Sequence, residues 1–195
     1  MREREGGLTL SDGVRHLTAE ELAAGLAEIK RAPRDSGVLE LIVRRPAVDE
    51  REVLEEGVLD LSAGLVGDTW PVRPSSRTPD GSAHPEMQLN VMNARVIALL
   101  ARERGRWPLA GDQLYLDMDL SAENLPAGTR LAVGTAVIEI TAQPHTGCKK
   151  FAARFGVEAL KFVNSPEGKQ LRLRGLNARV VEPGVVRVGE MARKL

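Results

Sequence analysis

From about residue 37 the chain sets apolar residues at every second position, in short runs, and breaks those runs with glycine and proline. Leu39, Leu41 and Val43 alternate before Pro46, and Leu114, Leu116 and Met118 repeat the spacing. Successive side chains of an extended strand point to opposite faces, so this period predicts half-buried strands. The stretch from Leu114 through Leu131 and Val133 to Val137–Ile140 reads as two strands with a polar connection. Near the end Leu171/Leu173 and Val186/Val188 alternate around the turn signal "EPGV", which predicts a closing β-hairpin or meander. No regular strand-helix-strand rhythm accompanies these runs. The expected fold is mostly β, a β-barrel with several short helices, rather than a doubly wound sheet.

Helical spacing is confined to a few segments. Thr18 stands three residues before Glu21, a capping-box spacing, and Leu22, Leu26 and Ile29 follow at steps of four and three. This predicts an amphipathic helix that ends before Pro33, within an N-terminal extension over residues 1–36. The barrel domain then occupies 37–195. Asn93 is placed to cap a second helix with Val96, Ile97, Leu99 and Leu100 on its apolar face and Gly105 at its end. "KKFAARFG" and "VEALKFVNS" form one or two more. Residues 71–85 make the longest loop-like stretch, and both a functional loop and a disordered one fit it.

Charge and cysteine count narrow the function. Lys+Arg and Asp+Glu both number 27, so no net field draws nucleic acid or an anionic membrane, although a local patch can still take an anion. A chain of 195 residues with 43% hydrophobic content suits one domain with a real core. The single Cys excludes an internal disulfide, "MREREGGLTLSDG" lacks the apolar centre of a signal peptide, and no apolar run approaches membrane-spanning length. The expected home is the reducing cytoplasm. His16, His84 and His145 are too scattered for a metal-ligand spacing, so a metal held by this chain alone is not expected. GxGxxG, the P-loop, GxSxG and HExxH are all absent.

The lone thiol, Cys148, sits in "QPHTGCKKFAARFG". A helix starting at about Lys149 brings its unpaired N–H groups beside the sulfur, and Lys149, Lys150 and Arg154 add positive potential. Both effects lower a thiol's pKa from about 8.5 and favour the nucleophilic, metal-binding thiolate. The alternative is a small buried hydrophobe. His145 is a possible proton carrier, and Phe151 and Phe155, one helical turn apart, read as core anchors. Arg172 and Arg174 alternate with Leu171 and Leu173, which puts both guanidinium groups on one strand face. That face is either solvated or turned to the thiol, where paired forks suit an oxyanion. Asp68 in "GLVGD", Asn124 in "SAENLP" and His84 in the long loop are further ligand candidates, with turn-forming or solvent-facing roles as the plainer alternative.

Taken in order, "ELIVRRP", "GLVGDTW", "MQLNVMNARVIALLA", "GDQLYLDMDLSAENLPAGTRLAVGTAVIEIT", "GCKKFAARFG" and "RLRGLNARVVEPGVVRVGE" resemble a MOSC domain, the module at the carboxyl end of molybdenum cofactor sulfurases. The resemblance implies a compact, mostly β barrel and a functional cysteine that maps onto Cys148. In the family this cysteine is proposed to ligate molybdenum beside molybdopterin, in members that reduce N-hydroxylated compounds, or to carry sulfur as a persulfide. A molybdenum-cofactor-dependent oxidoreductase and a sulfurtransferase are thus both implied. Cys148 then serves as catalytic residue and metal ligand, with Arg172, Arg174, Lys149, Asn124, Asp68 and His84 as candidates for holding the cofactor. The partner is a cysteine desulfurase or an electron-donor protein. Pyridoxal phosphate belongs only to such a desulfurase, because this chain has no room for the aminotransferase-like domain. A non-catalytic module for an anionic metabolite or a protein is the remaining alternative.

Overall fold

The computed structural model describes residues 15–195, so the polar start "MREREGGLTLSDG" lies outside the described residues. The elements in chain order are α1 (Ala19–Ile29), β1 (Ser36–Arg44), β2 (Glu52–Leu54), β3 (Glu56–Asp60), β4 (Gly64–Leu65), β5 (Leu89–Asn93), α2 (Ala94–Ala101), β6 (Leu114–Asp117), β7 (Arg130–Val133), β8 (Ala136–Ile140), α3 (Lys149–Phe155), α4 (Val157–Asn164), α5 (Pro166–Gln170), β9 (Leu176–Glu182), β10 (Gly184–Arg187) and β11 (Met191–Lys194). Short 3-10 turns at Trp70–Val72, Pro85–Met87 and Arg104–Ala110 punctuate the connections. The main sheet runs β11-β7-β8-β9-β5-β6-β1-β2 and closes into a barrel because β11 also pairs with β1. Among the described residues only β5 and β6 pair in parallel within it; a three-stranded sheet, β10-β3-β4, stands beside it.

β1 shows why alternation alone does not fix the faces. Its pairing with β6 shifts register between Leu39 and Leu41, a β-bulge. Leu39 and Ile42 therefore enter the barrel core with Leu114, Leu116, Val91 and Ile138. Leu41 and Val43 face outward, and there they join Met92 and Tyr115 under the helices. The strand is buried on both faces rather than one. Each fully buried aliphatic side chain of this kind contributes roughly 1.5–3 kcal/mol.

The outer cluster is where α1 and α2 pack. Thr18 and Glu21 form the expected capping box, and Leu22 and Ile29 are buried beside Val96, Ile97 and Leu100. Asn93 caps α2, its Oδ1 accepting from the backbone N–H groups of Arg95 and Val96. α2 nevertheless ends at Ala101, before Gly105, because Arg102 takes φ 62° and reverses the chain. Three further expectations change. The segment from Leu114 to Ile140 holds three strands, since Gly134, at φ 55°, turns β7 back onto β8. "EPGV" makes no hairpin: it carries the chain from β9, paired with β5 and β8, into β10, paired with β3. Residues 171–174 are a turn after α5, not a strand.

Candidate functional site

Cys148 is the residue before α3, in extended conformation, and its thiol is exposed, so the buried-hydrophobe reading fails. Phe151 and Phe155 are buried, with ring centroids 4.9 Å apart, and seat α3 on the helical cluster. Asn164 of α4 fixes the approach by accepting from the Gly147 N–H at 2.9 Å and donating to the Gly147 carbonyl at 3.2 Å. A cleft of about 380 Å³ opens beside the thiol.

Its walls are cationic. Arg45 and Arg51 come from the β1–β2 connection, Arg73 from the long loop, Lys150 and Arg154 from α3, and Arg174 from the turn before β9; among the described residues Asp49 is the one lining carboxylate. Two of these guanidinium groups are pinned from behind. Asp68, wholly buried, accepts from Arg45 Nε at 2.8 Å and Nη2 at 2.7 Å, while Arg45 Nη1 reaches Asn90 Oδ1 and the Gly111 carbonyl. Asp112, equally buried, accepts from Arg174 Nη1 at 2.7 Å, and Arg174 Nη2 donates to the Ala110 carbonyl. The Arg174 guanidinium also lies over the Phe151 ring, 5.0 Å from its centroid. Lys150 and Arg154 share Asp49.

Arg174 is 8% exposed and Arg51 is half-buried, yet the Nε of each has no partner among the described residues. A buried donor left unpaired costs about 1–3 kcal/mol. Burial, then the charges of Arg154 and Arg45, hold the Arg51 pKa below the ordinary guanidinium value. The cleft is thus built to receive negative charge next to a sulfur. A ligand combining an anionic group with a soft, thiophilic metal fits that donor set.

The MOSC domain profile matches residues 79–193. This chain belongs to the MOSC domain family. In fold it is similar to the crystal structure of the YuaD protein from Bacillus subtilis, with a TM-score of 0.60 and 15% identity over 80% of this chain and 94% of that one. It is also similar to YiiM from Escherichia coli, with a TM-score of 0.53 and 19% identity over 81% and 69% of the two chains. No curated protein matches the sequence. Cys148, His145, Asp112 and Arg174 fall within the matched MOSC segment, whereas Arg45, Asp49, Arg51 and Arg73 precede it.

The residues singled out in the MOSC sequence separate in space. Arg174 shares the cleft with Cys148, but Arg172 does not: it lines a neighbouring pocket. They part because the chain turns at Arg172, whose φ of 48° lies in the left-handed region, at a cost of roughly 1–2 kcal/mol for a residue with a side chain. Lys149 is exposed and outside the cleft wall, where Lys150 stands instead. Asp68 acts at one remove, through Arg45. Asn124 is buried, donates to the Arg34 and Asp119 carbonyls, and accepts from Lys194. His84 caps the turn at Pro85–Met87, its Nδ1 accepting from the Glu86 N–H. Arg45, Arg51 and Arg73 carry no motif that singles them out in the sequence; the run "RRPAVDER", basic residues around a strand-ending proline, is the one signal for the first two.

His145 also lines the cleft, and its Nδ1 is buried without a hydrogen-bond partner among the described residues. Burial first, then Arg174 and Arg45, hold its pKa well below 6.5, so the imidazole is neutral and its 3.5 Å approach to Asp112 Oδ1 is not an ion pair. The sign follows from proton uptake. The unfolded chain binds this proton below about pH 6.5 and the folded one does not, so this contribution is complete above 6.5 and lost as pH falls. Relative to His145→Gln, the wild type is expected to lose stability as pH falls from about 7.5 to about 5, because only its unfolded chain takes up this proton. Urea denaturation of both proteins at the two pH values measures it. An equal loss in both assigns the acid sensitivity to other groups.

Proposed function

We propose that the cleft binds molybdenum cofactor, with Cys148 as a sulfur ligand to the metal. The observation that carries this reading is the exposed thiol sharing one cleft with Arg174 and Arg51, whose buried Nε donors lack partners among the described residues. The fit is chemical: molybdopterin ends in a phosphate, which guanidinium forks recognise, and a thiolate is a soft ligand. Arg51, Arg73 and Arg174 would hold the phosphate end, and the Gly111 and Asn90 side of the cleft would face the pterin. When bound, the cofactor supplies two-electron redox chemistry at molybdenum, which the family resemblance connects with reduction of N-hydroxylated compounds. The chain's own residues bind and orient: Asp68 and Asp112 fix two guanidinium groups, and Asn164 fixes the backbone that presents the sulfur.

Protein made in a host that synthesises the cofactor is expected to carry molybdenum near one per chain, and Cys148→Ala to lose most of it while folding normally. Metal analysis and a thermal melt check both. Absence of molybdenum from the wild type, or equal content in Cys148→Ala, rejects ligation.

The exposure of Cys148 at the cleft wall, with Lys150 and Arg154 beside it, favours a second reading, in which the sulfur is carried as a persulfide loaded by a separate pyridoxal-phosphate-dependent cysteine desulfurase. A labile sulfur mass adduct on Cys148 after incubation with a desulfurase and cysteine, in protein without molybdenum, is the expected result there. An electron-donor protein is the corresponding partner of the reductase reading.

A further inference from the structure

A second pocket, of about 440 Å³, adjoins the thiol cleft and shares His145, Thr146 and Arg174 with it. Its own wall is unlike the cleft's. Val163, Leu176 and Pro144 supply an apolar side, Lys169 and Arg172 supply charge, and among the described residues no carboxylate lines it. Arg172 is only partly exposed, and burial lowers its pKa from the guanidinium value with no acid to offset the cost. Its Nη1 donates to the Leu125 carbonyl at 2.6 Å; among the described residues its other donors have no protein partner. Lys169 likewise has no ion-pair partner among the described residues, although its neighbour Glu167 is engaged by Lys30.

Lys149, Arg102 and Arg193 are exposed, where water answers their charge. Arg172 is held instead against a pocket, at φ 48°, a backbone conformation that glycine would adopt freely. A half-buried fork with spare donors, facing a pocket, suits an oxyanion. We propose that this pocket binds a small organic anion, a carboxylate or phosphate carried on an apolar body, with the oxyanion on Arg172 and Lys169 and the body against Pro144 and Ala142. The shared wall sets such a ligand beside the thiol cleft, so two small molecules are held side by side. The site stands on its own lining and does not depend on the molybdenum reading.

Titration calorimetry with benzoate, phenyl phosphate and inorganic phosphate tests it. Benzoate and phenyl phosphate are expected to bind the wild type, and inorganic phosphate alone at least tenfold more weakly at this site. Arg172→Gly removes the fork while leaving a residue suited to φ 48°, so the variant still folds, less stable by the lost Leu125 hydrogen bond, and affinity falls by about 10- to 100-fold, the range for a charge-assisted contact. Lys169→Gln, at an exposed position, is expected to cost several-fold. Arg51→Gln, in the thiol cleft, is expected to leave benzoate affinity within about twofold. Benzoate affinity that is undetectable in the wild type, unchanged in folded Arg172→Gly, or lost equally in Arg51→Gln overturns the proposal. Which aromatic anion binds more tightly tells carboxylate from phosphate as the preferred source of charge.

Discussion

Asp68→Ala is expected to destabilise the protein by about 3–5 kcal/mol, read as a lower denaturant midpoint at unchanged slope. The carboxylate accepts from the Arg45 backbone N–H at 3.0 Å, from Arg45 Nε and Nη2, and from the Trp70 N–H at 2.9 Å. Alanine leaves the guanidinium of Arg45, a residue 5% exposed, with only Asn90 and the Gly111 carbonyl to answer its charge. Most of the cost is that uncompensated buried charge rather than the worth of the pair itself. It follows that Arg45→Met combined with Asp68→Ala is less damaging than Asp68→Ala alone, because the double variant buries no lone charge. A double variant at least as unstable as the single one would show that the loss comes from the loop at Trp70, not from the charge.

Gly175→Ala is the second large effect, expected at about 3 kcal/mol or more from two costs that combine: roughly 1–2 kcal/mol for a side chain at positive φ and about 1–3 kcal/mol for overpacking. Gly175 has φ 102°, and an added Cβ would lie 2.3 Å from the Val91 carbonyl oxygen and 3.3 Å from His145 Nδ1. Gly189 separates the two costs, since it has φ 89° but a Cβ added there would meet no atom within 4 Å. Gly189→Ala is therefore expected to lose only the conformational part. The difference between the two variants in thermal midpoint measures how tightly β9 is drawn against β5 where the chain leaves Arg174. Equal losses would mean that β5 yields to the added methyl.

Local chemistry was legible in the sequence and long-range pairing was not. The capping box of Thr18 and Glu21, the Asn93 cap and the position of Cys148 before α3 each depend on residues a few places apart, and the spacing states them directly. The short alternating runs were enough for a barrel. The bulge in β1 was hidden because the chain has no extra glycine or break at Glu40; only the pairing with β6 reveals it. The site was legible at its sulfur and obscure at its charges. Arg45 finds Asp68 across 23 residues and Arg174 finds Asp112 across 62, distances at which no sequence period operates. Alternation with Leu171 and Leu173 places Arg172 and Arg174 on one strand face, but the left-handed backbone at Arg172 separates them.

Barrel closure carries a consequence for how the chain is made. β11, which follows the other described strands in sequence, supplies both seams: it pairs with β7 at Leu131–Val133 and with β1 at Ser36–Val38. During synthesis β1 waits for a partner that is translated more than a hundred residues later. Until Met191–Lys194 leave the ribosome, the edges of β1 and β7 that they cover are bare, and bare edges recruit other nascent chains. Met191–Lys194 thus acts as the latch of the barrel, and an unlatched chain presents two open strand edges.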